Sequence, residues 1–320
     1  MLTTRNIFHP AKLLLSFLLC FLTLPSLAAD KITFKPFILA EQSHLKMDEA
    51  KAKIVKQIIE SPFSIVSEYS PYDEAHIYII SSETLKTLVS KSHYGGFAAP
   101  QRISLTKIND KIQIAYTNPV YMQHAFRLQG VDMEPILSQM KQSFGFEQFF
   151  GGKGLTARKL KRYKYSFGLE DFDSFYELPE YDSHDEAIAA LTKGFNEPGN
   201  GISKVYEIKI PGKNQVVFGV SMSEETSGVE ALNTKKTMDI VDYFPLKRTA
   251  YLPYEIMVDG KNIIALHARF RIASYFYDLK MFGKHGFGKL FSTPNAYLKA
   301  FTEVSGGSMY KNASGDGFIN

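Results

Sequence analysis

The residues best suited to chemistry in this sequence are cationic and lie in its C-terminal third. Between Ile263 and Ala273, apolar and polar residues alternate, which predicts a β-strand with one apolar and one polar face. The polar face carries His267, Arg269 and Arg271. Two arginines beside a histidine can fix a carboxylate or phosphate group, because guanidinium groups bind such anions through parallel hydrogen bonds. A solvated outer sheet face explains the same pattern.

A glycine-rich segment follows this strand and supplies two further cationic side chains. Lys284 and His285 lie in the run Gly283 to Leu290, and its glycines allow the segment to move or to approach a ligand closely. The run matches part of a phosphate-binding loop, yet Leu290 stands where a hydroxyl would hold magnesium. The run therefore favours a plain connection, or an anion site made by backbone N–H groups and lysines, over a nucleotide site.

The sequence lacks the residues that most other kinds of functional site require. The one cysteine, Cys20, lies in an apolar N-terminal run, so cleavage of that run leaves neither disulfides nor thiolates. No histidine pair has the helical or strand spacing of a metal site, and we predict no metal and no cofactor. There is no Gly-x-Ser-x-Gly elbow, although the sequence leaves Ser–His–Asp catalysis open. The histidines considered are His76, His93, His124, His184, His267 and His285.

The N-terminus has the features of a secretory signal peptide. Arg5 and Lys12 precede the apolar run Leu13 to Leu24, and we expect residues 1–29 to be removed by cleavage after Ala28 or Ala29. The run is shorter than the roughly 20 apolar residues of a membrane span, and no later segment replaces it. The sequence therefore predicts a periplasmic protein without a transmembrane segment after cleavage.

The charge balance argues against nucleic acid as a partner. The chain has 37 Lys and Arg against 33 Asp and Glu, and loss of Arg5 and Lys12 lowers the formal net charge from +4 to +2. Such a chain lacks the basic footprint of nucleic-acid-binding proteins.

A repeated helix divides the chain into two similar units. Six residues of the first helix recur at the same spacing in the second: Asp48, Glu49, Ala50, Ala52, Lys56 and Glu60 match Asp185, Glu186, Ala187, Ala189, Lys193 and Glu197. Each helix has one apolar stripe, and Ser183 with Glu186 predicts a capping box for the second. Pro62 and Pro198 mark the helix ends.

Strands follow each helix, and the second pair of each unit forms a hairpin. Asn109-Asp110 and Asp259-Gly260 supply the residues that tight hairpin turns need. Each unit then ends in a helix, and a leading strand opens it near residues 32–39 or 163–167. We therefore predict a first α+β repeat over residues 30–145, a linker over 146–162, a second repeat over 163–306 and a disordered tail over 307–320.

The order of elements, together with the run Ile114 to Pro119, resembles the domain-of-unknown-function family 302. Tyr116 to Pro119 is similar to the Tyr-Asn/Asp-Pro signature of that family, whereas the second unit lacks it. The resemblance implies a TATA-binding-protein-like fold, with two tandem units of curved antiparallel sheet and helices packed on one face. It implies a fold and no activity.

The absence of a complete catalytic motif favours a non-enzymatic binding protein. We expect it to bind a small anionic or amphipathic ligand, or a protein partner, and we place the ligand at His267, Arg269, Arg271, Lys284 and His285. The ligand site needs the sheet of the second unit to face that of the first. A periplasmic hydrolase without a recognisable motif and a structural assembly factor are the alternatives.

Overall fold

The computed structural model describes residues 32–311 and 317–319, so the predicted signal peptide lies outside the described residues. Helices and antiparallel strands mix along the chain, and the predicted α+β class is confirmed. The first half contains β1 (Thr33–Phe34), β2 (Phe37–Ser43), α1 (Met47–Ile59), β3 (Ser64–Tyr72), β4 (Ala75–Ser81), α2 (Glu83–Val89), β5 (Gln101–Ile108), β6 (Lys111–Thr117), α3 (Pro119–Ala125), α4 (Glu134–Phe144), β7 (Gln148–Phe150), β8 (Leu155–Thr156) and α5 (Ala157–Lys161). The second contains β9 (Phe175–Glu180), α6 (His184–Phe195), β10 (Ile202–Lys209), β11 (Gln215–Met222), α7 (Glu224–Ser227), α8 (Thr234–Val241), β12 (Tyr254–Asp259), β13 (Asn262–Leu266), α9 (Ala268–Tyr275), α10 (Thr293–Val304), β14 (Met309–Lys311) and β15 (Gly317–Ile319).

Two larger antiparallel sheets carry the described fold. Their strand orders are β3-β4-β5-β6-β2-β7 and β10-β11-β12-β13-β9. In both sheets, the strand before the helix pairs with the last strand of the second hairpin. The edge strands β3 and β10 both contain bulges, and they meet where Ser67 Oγ donates a hydrogen bond to the Val205 carbonyl at 2.7 Å.

Both predicted hairpins are present; the first turn is at Asn109-Asp110 as predicted, and the second is at Gly260-Lys261, one residue later than the predicted Asp259-Gly260. Strand pairing leaves two residues in the loop between β5 and β6 and two in the loop between β12 and β13. Asn109 and Gly260 adopt φ angles of 55° and 61°, the left-handed conformation that asparagine and glycine tolerate best.

The repeated helices are also confirmed. Ser183 Oγ accepts a hydrogen bond from the Glu186 N–H at 3.2 Å and caps α6, which is one of the two bonds of the predicted capping box. The two buried stripes consist of Ala50, Ile54 and Ile58 in α1, and of Ala187, Leu191 and Gly194 in α6. Gly194 permits close packing on α10, because an added Cβ there would lie 1.8 Å from the Val304 carbonyl oxygen.

Three sequence assignments differ from the structure. The strand predicted over residues 163–167 is absent, and β9 opens the second sheet instead, because the hydroxyls of Tyr163 and Tyr165 tie that segment to the Ala273 and Leu279 carbonyls. The predicted linker over residues 146–162 is structured, since β7 pairs with β2 and β8 with β1. In the tail, β14 pairs with β15, while residues 312–316 and 320 lie outside the described part.

The first sheet buries its polar face against the second half of the chain. Residues on both faces of β5 are buried, with Arg102, Ser104 and Thr106 alternating with Ile103 and Leu105. Thr106 Oγ1 donates a hydrogen bond to Thr249 Oγ1 at 2.8 Å. In return, Gly96 packs against the second sheet so closely that an added Cβ would lie 3.0 Å from Met257 Sδ. Each half therefore covers part of the other's sheet.

Three charged side chains meet at this contact. Glu255 of β12 pairs with Arg102 of β5 and with Arg271 of α9, and at most 2% of each residue is exposed. Arg271 Nη2 also donates to the Tyr251 carbonyl at 2.7 Å, and its guanidinium lies 4.2 Å from the centre of the Tyr251 ring. Burial lowers the pKa of Arg102, and the charge of Arg271 lowers it further.

The strand predicted from Ile263 to Ala273 is wrong beyond Leu266, where β13 ends. His267 caps α9, because its Nδ1 accepts a hydrogen bond from the Arg269 N–H at 3.3 Å. Successive residues of a helix do not alternate between two faces, so Arg269 and Arg271 do not share the predicted polar face. Arg271 is instead part of the buried contact between the two sheets.

We predict that Arg271→Ala lowers the free energy of unfolding by about 3–5 kcal/mol, because it leaves Glu255 buried with one partner fewer. Urea denaturation measures the change, with Lys261→Ala as the control. Lys261 pairs with Glu180 at the surface and should contribute no more than about 1 kcal/mol. Equal effects of the two variants would contradict a structural role for the buried contact.

Candidate functional site

The structure distributes the five predicted site residues over three places. Arg271 is in the buried contact described above, while His267 and Arg269 lie together beside a surface pocket. Lys284 is exposed on the glycine-rich loop. His285 is half-buried, with Nδ1 3.2 Å from the Ile240 carbonyl oxygen and its ring stacked on Tyr243. The predicted single cluster is therefore wrong, and the pair at the pocket is what remains of it.

The pocket beside Arg269 has a volume of about 180 Å³. Arg269 is the only charged residue among the described residues that line it. The others are aromatic, aliphatic or proline: Tyr165, Leu169, Met281, Phe287, Leu290, Phe291 and Pro294. The pocket thus combines an apolar interior with one cationic group, which is the arrangement that holds a ligand with an apolar body and an anionic head.

Two loops and the start of α10 build the pocket walls. The first loop connects α5 with β9, and the second connects α9 with α10. The Tyr165 hydroxyl donates to the Leu279 carbonyl at 3.2 Å, and its ring lies 4.3 Å from that of Phe287. The second connection folds back on itself, since the Phe287 N–H donates to the Lys280 carbonyl at 2.9 Å. These bonds hold the aromatic walls in place.

Glycine is required at one position of this second loop. A Cβ added to Gly286 would lie 2.6 Å from the carbonyl carbon of Phe282, so the backbone approaches itself too closely for a side chain. The loop leads into a 3-10 helix at Phe287–Leu290 and follows no strand of either sheet. A phosphate-binding loop needs such a strand, and the segment Gly283 to Leu290 therefore lacks the context of a nucleotide site.

An acidic partner balances the charge at the pocket. Arg269 Nη1 donates to Glu170 Oε1 at 2.6 Å, and His267 Nε2 lies 3.5 Å from the same oxygen. Burial lowers the pKa of His267 to about 4; Glu170 opposes this change and Arg269 adds to it. His267 is therefore neutral at pH 7, and Arg269 and Glu170 carry the charges.

Glu170 does not stand out in the sequence. It lies in the acidic run Glu170 to Asp173, and its partner Arg269 lies 99 residues away along the chain. Glu170 is 23% exposed at its side chain. The signal that was available is the tyrosine pair Tyr163 and Tyr165 just before it, since aromatic residues with polar tips often anchor loops.

A second group of reactive side chains lies on the β3–β4 hairpin. Ser70 Oγ is 2.9 Å from His76 Nδ1, and His76 Nε2 is 3.1 Å from Glu68 Oε2. Burial lowers the pKa of His76 and the charge of Lys51 lowers it further, while Glu68 raises it. A serine, a neutral histidine and a carboxylate in contact are the parts of an activated nucleophile, although here the serine is on Nδ1 instead of the usual Nε2.

The low pKa of His267 predicts a pH dependence of stability. The unfolded chain takes up a proton at this residue near its usual pKa of 6.5, and the folded chain only near 4. The unfolded state binds more protons between these values, so His267 makes the protein lose stability as the pH falls from 6.5 towards 4.

We predict that His267→Asn weakens this acid sensitivity, because asparagine still caps α9 but does not titrate. Melting temperatures of both proteins between pH 4 and pH 7.5 measure the effect. The variant should lose less stability than the wild type across the window. Parallel curves would contradict the assigned pKa.

Among the described residues, no group of three or more His, Cys, Asp or Glu side chains is arranged to hold a metal ion, and no helix is both long and apolar enough to cross a bilayer.

The Tyr116–Pro119 motif has a structural explanation. Asn118 Oδ1 accepts a hydrogen bond from the Val120 N–H at 3.1 Å and begins α3, and the Tyr116 hydroxyl donates to the Gly145 carbonyl. No family model, curated protein or solved structure matches the chain, and the resemblance to family 302 stays a prediction.

Proposed function

We propose that this protein is a non-enzymatic, periplasmic binding protein that holds a small amphipathic anion in the pocket beside Arg269. One observation carries the proposal: an apolar pocket has a single cationic side chain among its described lining residues. The anionic head of the ligand would bind the Arg269 guanidinium, and its apolar part would contact Phe287 and Leu290. A guanidinium suits a carboxylate or phosphate head because it offers several N–H donors in one plane.

The size of the pocket limits the ligand. An apolar cavity of about 150 Å³ accommodates one benzene molecule, and this pocket is slightly larger at about 180 Å³. One aromatic ring or a short alkyl chain therefore fills it. A longer chain would continue past Phe291, which is exposed at the pocket.

Glu170 sets the affinity for anions. Its carboxylate already accepts one hydrogen bond from Arg269, and 40% of the Arg269 side chain remains exposed for a second partner. The incoming anion meets both the attraction of the arginine and the repulsion of the glutamate. This balance favours reversible binding over permanent capture.

Octanoate and the uncharged 1-octanol are suitable probes of the pocket. A hydrogen bond to a charged group contributes about 1.5–3 kcal/mol. We predict that Arg269→Gln weakens octanoate binding about tenfold, which corresponds to about 1.4 kcal/mol, and leaves 1-octanol binding unchanged. Glu170→Gln should tighten octanoate binding, because it removes the repulsion while its amide oxygen still accepts from Arg269. Titration calorimetry of the wild type and of both variants measures these affinities.

The control is Arg158→Gln, which removes an exposed arginine at the start of α5 that does not line the pocket. This variant should bind octanoate like the wild type. If Arg269→Gln and Arg158→Gln weaken binding equally, the effect comes from net charge and the proposed site is wrong. Absence of octanoate binding to the wild-type protein would also contradict the proposal.

The hydrolase alternative has its own supporting observation, the contact of Ser70 with His76. If Ser70 is an activated nucleophile, a fluorophosphonate probe should label it covalently, because the hydroxyl oxygen displaces fluoride while His76 takes the proton. Mass spectrometry of the labelled protein identifies the modified residue, and Ser221→Ala serves as a control for Ser70→Ala. We expect no labelling, since the binding function needs no nucleophile. Labelling that disappears only in Ser70→Ala would favour the hydrolase.

A further inference from the structure

We propose that the two loops around the pocket dock onto the surface of a lipid bilayer with anionic headgroups. Three phenylalanines of these loops are exposed to solvent: Phe167, Phe282 and Phe291, with exposed fractions of 103%, 80% and 66%. We name these residues the phenylalanine rim. Water contact with three phenylalanines is unfavourable, and a concentration of exposed apolar side chains marks an interaction surface.

The rim residues lie within the two connections that line the pocket. Phe291 lines the pocket, Phe282 directly follows the lining residue Met281, and Phe167 lies between the lining residues Tyr165 and Leu169. The bond from the Tyr165 hydroxyl to the Leu279 carbonyl, together with the contact of Tyr165 with Phe287, joins the two loops. The three phenylalanines thus lie on two connections that are joined beside the pocket.

Basic residues accompany the rim, and acidic residues are missing from both loop segments. Residues 162–169 contain two Lys and Arg, residues 279–291 contain three, and neither segment has an Asp or Glu; α5, directly before the first segment, adds Arg158, Lys159 and Lys161. The whole chain has a net charge of only +4, so positive charge is concentrated here. All eight side chains are exposed: Arg158, Lys159, Lys161, Arg162, Lys164, Lys280, Lys284 and Lys289.

The nearest acidic side chains are engaged with partners of their own. Glu170 pairs with Arg269, Asp173 pairs with Arg127, and Asp278 pairs with Arg248. Asp171 pairs with Arg127 and also with Lys164, so Lys164 adds less to the positive field than the other seven basic side chains. These acidic side chains therefore oppose the positive field of the loops only weakly.

An anionic bilayer fits both properties of this surface. Phenylalanine side chains insert at the boundary between headgroups and acyl chains, and Lys and Arg side chains attract anionic headgroups. A folded nucleic acid would match the charge but not three exposed phenylalanines beside an apolar pocket. Docking would place the pocket mouth at the headgroup boundary, where amphipathic anions partition.

The absence of tryptophan from the chain allows a direct test. Phe282→Trp introduces a single reporter on the rim, and Ile59→Trp introduces one at the end of α1, where the wild-type side chain is 76% exposed. Vesicles of equal parts phosphatidylglycerol and phosphatidylcholine should shift the emission of Phe282→Trp to shorter wavelength, and brominated lipid should quench it. Ile59→Trp should respond to neither.

Charge reversal tests the attraction between the basic side chains and the anionic headgroups. Lys280→Glu, Lys284→Glu and Lys289→Glu combined in Phe282→Trp should reduce partitioning into these vesicles at least about tenfold, and pure phosphatidylcholine vesicles should bind the parent weakly. Circular dichroism confirms that the variants are folded.

No response of Phe282→Trp to anionic vesicles, or an equal response of Ile59→Trp, would overturn the docking proposal. The phenylalanine rim would then be a candidate contact surface for a protein partner. Octanoate titration of the same variants keeps the two proposals apart. Intact octanoate binding without vesicle binding rejects only the bilayer, whereas vesicle binding without octanoate binding rejects only the ligand pocket.

Discussion

The buried carboxylate of Glu255 is the constraint on which the arrangement of the two sheets depends. A carboxylate without solvent is tolerated only when cations and hydrogen bonds satisfy it. Arg102 comes from the first sheet, whereas Arg271 comes from the helix that follows the second. The carboxylate is therefore satisfied only when both halves of the chain are in place. Apolar residues of the same volume are often as stabilising as a buried ion pair, and we infer that the charged contact serves mainly to fix how the halves fit together.

Local signals made much of the fold predictable. The turns at Asn109 and Gly260 and the cap at Ser183 depend on neighbouring residues alone, and the structure has them within one residue of where the sequence indicates. The helix α9 was not predictable in this way. Seven of its eight residues are buried, so it has no amphipathic stripe, and the alternation of arginines with apolar residues imitates a strand.

The candidate site was only partly predictable for a different reason. Sequence chemistry identified Arg269 and His267, because cationic side chains are visible in a sequence. It could not identify Glu170, which reaches them through a contact across 99 residues. It also placed Arg271, Lys284 and His285 with them, since a sequence does not reveal which arginine turns inward. The pocket walls depend on tyrosine hydroxyls bonded to distant carbonyls, and such pairs leave no periodic pattern.

The meeting of β3 and β10 has a consequence for self-association. A free edge strand presents unpaired N–H and C=O groups to which a second molecule can add its own strand. Here one edge of each sheet lies against the other, and both edge strands are interrupted by bulges, at Ile65/Ser67 and Tyr69/Tyr72 in β3 and at Lys204/Tyr206 in β10. Bulges distort the regular spacing that strand addition requires. The two edges together thus protect the folded chain against polymerisation into extended sheets along this side.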